Sequence, residues 1–171
     1  VYQSPWYKEY PLVENHFGRL NTALTRGKAK VQIGVIHPVE SYWLHFGTKE
    51  QTSSICEEMD QNFSNIIEWL LFSQLDFDFI AESLLTIQNQ PEEKDTLTVG
   101  EMDYKVIVVP SCETMRRTTL ERLKAFRRGG GVVLFAGDIP TLVDALPSNE
   151  VLEFAKECMT VPFTKTRIVS A

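Results

Sequence analysis

Three stretches of the chain are apolar without alternation: Val31 to Ile36, Tyr104 to Pro110 and Val132 to Ala136. A strand that faces water on one side alternates apolar and polar residues. A run without alternation predicts a strand buried on both faces, as in a parallel sheet. Between and around these runs the apolar residues recur at helical spacing. Leu12, His16/Phe17, Leu20 and Leu24 mark a helix from Pro11 to Gly27, with Gly27 placed as a C-terminal cap. Ile55, Met59, Phe63, Ile66/Ile67, Leu70 and Leu71 form one stripe of a second helix. Its start is expected at Ser53/Ser54, because Ser54 and Glu57 have the spacing of a capping box.

The weaker signals fill the gaps. Phe77 to Ile80 reads as a short strand, Ala81 to Ile87 as a short helix, and Leu97 to Val99 as a small accessory strand. Thr114 to Arg128 reads as a helix, with Arg127-Arg128 in its last turn and Gly129 after it, both suited to a helix C-terminus. Asn149 to Met159 looks helical, and a strand is expected around Arg167 to Val169. Short buried strands alternating with amphipathic helices predict an α/β fold with a mostly parallel sheet and helices on both faces.

Composition narrows the function classes. Of 171 residues, 43% are hydrophobic and 23% charged, which suits a globular domain with a sizeable core. The net charge is −6 and the basic residues do not cluster beyond pairs, which argues against nucleic acid as a partner. No apolar run approaches a membrane span, no secretory leader pattern opens the chain, and no membrane partner is expected. The chain starts at Val1 rather than Met and is therefore read as processed or as a piece of a longer protein. Three widely spaced cysteines, Cys56, Cys112 and Cys158, suit reduced thiols better than a disulfide framework or a zinc site.

Several patterns carry candidate chemistry. Gly129-Gly130-Gly131 stands after a helix and before a strand, the reverse of a phosphate loop, and is expected to be a tight turn. No cofactor is expected. His37, Glu40 and His45 lie on what reads as a loop, without the one-turn spacing of a helical metal site, so interface or capping hydrogen bonds are expected instead of a metal. Cys112 follows a strand, where α/β enzymes place nucleophiles, but every histidine precedes it in the chain. Adjacent acids such as Glu92/Glu93 read as solvated surface, not as the separated carboxylates of a glycosidase. Tyr42, Trp43 and Phe46 lie just past the carboxyl end of the first strand, the edge where open parallel sheets bind ligands. They either meet a sugar or a partner surface, or fold back onto their own core.

The order of several motifs resembles a known family. Pro5-Trp6-Tyr7-Lys8-Glu9-Tyr10, Arg19-Leu20, Leu24, Gly27 and Val31 to Pro38 resemble a junction in large bacterial glycoside hydrolases. There a linker helix leaves the catalytic barrel and enters a class I glutamine-amidotransferase-like domain. Leu75 to Ile80, Tyr104 to Pro110 and Gly129 to Gly137 continue the pattern in the same order. The domain is similar to the trimerisation domain of some β-galactosidases and to a domain of some α-L-rhamnosidases. The resemblance implies a flavodoxin-like three-layer sandwich over residues 31–171 and a linker helix over residues 1–30. It also implies a missing upstream barrel that holds the catalytic carboxylates and acts on carbohydrate. Phe135 stands where the amidotransferases carry their nucleophile, so the chain by itself is expected to be catalytically silent. Its expected work is packing on the catalytic domain of the same polypeptide or forming a homo-oligomer, with His37, Glu40, Tyr42, Trp43 and His45 as interface or sugar contacts. Two other readings stay open: a self-contained cysteine-dependent hydrolase or amidotransferase using Cys112, and a small sugar-binding module.

Overall fold

The structure, a computed structural model, describes residues 2–171, with Lys49 described by its backbone only. Val1, where the expected linker begins, lies outside the described residues. The chain divides after Lys30 into two compact units.

In the first unit a 3-10 turn at Tyr7–Glu9 leads into α1 (Tyr10–Leu24), with Pro11 in the first turn, where a missing N–H costs nothing. The helix stops before Gly27, the cap expected from the sequence. Thr25 closes it instead, its N–H and its hydroxyl both donating to Asn21 O at 2.9 and 2.7 Å. Every residue of α1 is exposed, including Leu12, Val13, Phe17, Leu20 and Leu24.

The second unit is a flavodoxin-like α/β sandwich. β1 (Ile33–Ile36), α2 (Val39–Leu44) and α3 (Lys49–Phe72) come first, then β2 (Phe77–Ile80) and α4 (Glu82–Gln88). A hairpin of β3 (Leu97–Val99) and β4 (Met102–Tyr104) precedes β5 (Val106–Pro110), β6 (Thr114–Met115) and α5 (Arg117–Arg128). β7 (Val132–Ala136), β8 (Leu142–Val143), β9 (Leu146–Pro147), α6 (Glu150–Ala155), β10 (Met159–Val161) and α7 (Lys165–Val169) complete the chain.

The central sheet has five strands in the order β10-β7-β5-β1-β2, and all four pairings are parallel. Strand pleating explains why its apolar runs do not alternate. Ile107, Val109, Val133 and Phe135 enter the larger core, beside Leu120, Leu123 and Phe126 of α5. Their neighbours Val108, Leu134 and Ala136 enter a second core with Ile66 and Leu70 of α3 and Ile168 of α7. Successive residues point to opposite faces, and both faces are covered.

The glycine triplet is a turn. The N–H groups of Gly130 and Gly131 donate to Arg127 O and Phe126 O at 3.1 and 3.0 Å, the pairing of a Schellman motif. Gly130 takes φ +101°, so the left-handed residue of the cap is Gly130 rather than Gly129.

Four expected elements differ from the structure. α3 starts at Lys49, with Thr48 extended before it and the N–H groups of Gln51 and Thr52 bonded to Thr48 O, so the Ser54/Glu57 capping box lies inside the helix unused. Thr114–Met115 is not the first turn of α5 but a short strand paired with β8. Met159–Val161 is not a helix end but the fifth strand, paired with β7. Residues around Ile168 form α7 instead of a strand, because docking Ile168 into the α3-side core satisfies their one buried apolar residue. In each case a tertiary partner outweighs a weak local preference.

β8 and β9 form a hairpin that the sequence did not signal. Its two loop residues, Asp144 and Ala145, have φ 50° and 63°. Two left-handed residues make a type I′ turn, which favours glycine second, and alanine there is strained. The tertiary setting holds the turn: Asp144 Oδ1 accepts from Arg117 N at 3.0 Å, and Ala145 N donates to Thr114 Oγ1 at 3.1 Å. Ala145→Gly is therefore expected to stabilise the protein by roughly 0.5–1 kcal/mol, measured as a higher denaturant midpoint with unchanged slope.

Candidate functional site

In a sheet of this order the strand connections leave β1 and β5 in opposite directions. A crevice therefore opens between their carboxyl ends. The protein has a cavity of about 360 Å³ there. His37, Pro38 and Val39 after β1 line one side, and Pro110 at the end of β5, with Ser111, Cys112 and Glu113 after it, lines another. Asp138, just past β7, closes the floor edge, and α3 supplies a wall that includes Ile55, Asn62 and Phe63. The volume is in the range of small-ligand pockets.

Local chemistry fixes these loops. Gly137 takes φ +97°, and a Cβ on it would lie 3.0 Å from Ser111 Cβ and 3.1 Å from Phe163 Cβ, so the turn after β7 needs glycine. This turn brings Asp138 to Ser111. The Ser111 hydroxyl donates to Asp138 Oδ2 at 3.0 Å, and Asp138 N donates back to Ser111 Oγ at 3.3 Å. The segment expected as a loop after β1 is instead the helix α2. It is too short to persist alone and is pinned from outside. The hydroxyl of Ser41, fully buried, accepts from Glu113 N and Thr114 N at 3.0 and 3.2 Å.

No family model, curated protein or solved structure matches this chain. The chemistry of the site therefore follows from its own geometry.

His37 packs edge-on against Phe63 and Phe79, with centroids 5.0 and 5.9 Å away, and burial lowers its pKa from 6.5, so its imidazole is uncharged at neutral pH. Tyr42 lines the same cavity, and the charge of the Asp60 carboxylate, more than any other cause, raises its pKa, keeping the phenol protonated. Glu40, Trp43 and His45 are absent from the lining residues. His45 Nε2 donates to Glu113 Oε1 at 2.7 Å. Glu40 pairs with Arg116, Nε to Oε1 at 2.7 Å, and lines a separate pocket with Trp43. Trp43 is 56% exposed and does not fold back onto the core. The five residues grouped by the sequence thus divide: His37 and Tyr42 face the cavity, His45 supports it through Glu113, and Glu40 and Trp43 lie outside it. Among the described residues, no group of three or more His, Cys, Asp or Glu is placed to hold a metal ion.

The two positions considered for a nucleophile from the sequence, Phe135 and Cys112, are both buried, Cys112 in the wall of the cavity itself. Phe135 lies inside β7, fully buried, with its ring edge-on to Phe154 at 6.1 Å. Cys112 is buried, and burial, followed by the charges of Glu82 and Glu113, pushes its thiol pKa well above the ordinary value. A nucleophilic cysteine needs an electropositive, accessible setting, and this one has the reverse.

Sequence reasoning missed Asn62, Ser111, Glu113 and Asp138. Ser111 and Glu113 follow β5 and Asp138 follows β7, so the strand-end argument used for His37 would have reached them if applied to every strand. Asn62 has no local signal, since only the packing of α3 turns it toward the cavity.

Proposed function

We propose that this chain is a non-catalytic accessory domain of a larger glycoside hydrolase, packing on the catalytic barrel of the same polypeptide. The observation that carries the reading is α1. Its apolar residues Leu12, Val13, Phe17, Leu20 and Leu24 are all exposed, although their helical spacing is that of a buried stripe. A linker helix that lies against a neighbouring catalytic domain accounts for such a stripe. The burial of Phe135 inside β7 and the raised pKa of the Cys112 thiol support the non-catalytic part, because Phe135 has no nucleophilic atom and the thiol stays protonated.

The test has two arms. The reading frame that encodes this chain is expected to encode a barrel with two separated carboxylates as well, and the purified chain is expected to cleave neither glutamine nor aryl glycosides. With that barrel expressed separately, Phe17→Asp combined with Leu20→Asp should weaken the complex at least about tenfold, roughly 1.4 kcal/mol. A frame without a barrel, turnover by the chain alone, or a complex indifferent to the double variant would overturn the reading.

A further inference from the structure

We propose that the cavity at the carboxyl ends of β1 and β5 binds one uncharged polyhydroxylated ring of monosaccharide size. This inference rests on the cavity alone and holds whether or not the chain packs on a catalytic barrel.

Anions are disfavoured first. Phosphate sites at such strand ends use backbone N–H groups and basic side chains. Here Pro38 and Pro110 remove two of the N–H groups nearest the strand ends. Among the described residues no Lys or Arg lines the cavity, while Glu58, Asp60, Glu113 and Asp138 do.

A cationic ligand fits less well than the carboxylates suggest. Glu113 is held by His45 and Asp138 takes the Ser111 hydroxyl, so both are already engaged. Glu58 and Asp60 are exposed, where water and salt screen their field. Besides Glu113, which His45 holds, the half-buried polar groups are the imidazole of His37, the amide of Asn62, the phenol of Tyr42 and the hydroxyl of Ser111, whose proton goes to Asp138 and whose oxygen can still accept. All four are uncharged, and together they offer both donors and acceptors. Vicinal hydroxyls on a ring require that mixture. Phe63 adds an aromatic wall for the C–H face of the ring.

The full chain is titrated by calorimetry with D-galactose, D-glucose and L-rhamnose, and in parallel with putrescine and inorganic phosphate. At least one sugar is expected to bind saturably, with a Kd of order 0.1–10 mM, and the two charged probes are not. Asn62→Ala, on the middle of α3 where alanine keeps the helix, should weaken that sugar at least about tenfold. Ile55→Trp, at the exposed edge of the same wall, should block it by filling the space. Trp43→Ala, outside the cavity, should leave it unchanged. Circular dichroism verifies that each variant is folded. No saturable sugar binding, preferential binding of putrescine or phosphate, or binding lost in Trp43→Ala but kept in the folded Asn62→Ala and Ile55→Trp variants would overturn the proposal.

Discussion

Phe135→Ala is expected to lower the unfolding free energy by roughly 3–5 kcal/mol, among the largest losses one side chain can cause here. Phe135 is fully buried in the fourth position of β7, in the larger core, with an edge-to-face contact to Phe154. Truncation removes the transfer free energy of the ring and leaves a cavity between the sheet and α6. The strand is paired on both sides, by β5 and β10, so the backbone has little freedom to close that space. Denaturant unfolding measures the effect, and a loss below about 1 kcal/mol would contradict the placement of the ring. The companion variant Phe135→Cys addresses chemistry. The amidotransferase resemblance puts a cysteine nucleophile near this point, but a thiol at this site would face the core. It is expected to resist alkylation in the folded protein and to give no glutaminase activity. Rapid labelling of the introduced thiol by iodoacetamide, located by mass spectrometry, would show the site to be open.

The second large effect is a dependence of stability on pH that traces to Glu82. This carboxyl is 2% exposed at the start of α4 and accepts Arg116 N at Oε2 at 2.8 Å. Burial raises its pKa from 4.5 to about 7, a rise opposed by the Arg116 N–H and favoured weakly by the nearby charge of Glu40. The folded protein therefore holds this proton more tightly than the unfolded chain does. The resulting stabilisation is complete below pH 4.5 and is lost as the pH rises through about 7. The total is about 3 kcal/mol between the protonated and ionised limits. His37 acts in the opposite sense: its lowered pKa costs stability as the pH falls below 6.5, so the absolute profile mixes the two groups. Comparison with Glu82→Gln isolates the carboxyl, because glutamine still accepts from Arg116 N and carries no charge. The variant should match wild type near about pH 4.5 and exceed it by about 3 kcal/mol near about pH 8.5. Parallel profiles across that range would refute the assignment.

These two residues show the limits of reading along the chain. Phe135 was legible as core from the apolar run Val132 to Ala136, because strand burial on both faces leaves a continuous signature. Nothing local marked Glu82 as buried. It becomes so only when the N-terminus of α4 packs beside the loop that precedes α5, where Arg116 presents an unpaired N–H. Trp43 and Tyr42 are neighbours in sequence, yet α2 turns one into the cavity and leaves the other in solvent. A loop reading placed them together, and the rotation of about 100° between successive helical residues separated them.

Local pattern was enough to specify the α/β class, the three central strands, the long second helix and the strand-end edge beyond β1 where the cavity lies. Those features follow from periodicity and burial, which each segment carries in its own composition. Long-range packing set the rest: the fifth strand, the helix α2, the burial of Cys112, and the meeting of His37, Asn62 and Ser111 around one cavity. Those depend on contacts between residues far apart in the chain, such as Ser41 with Glu113 and Thr114 or Ser111 with Asp138, whose partners a local pattern does not contain.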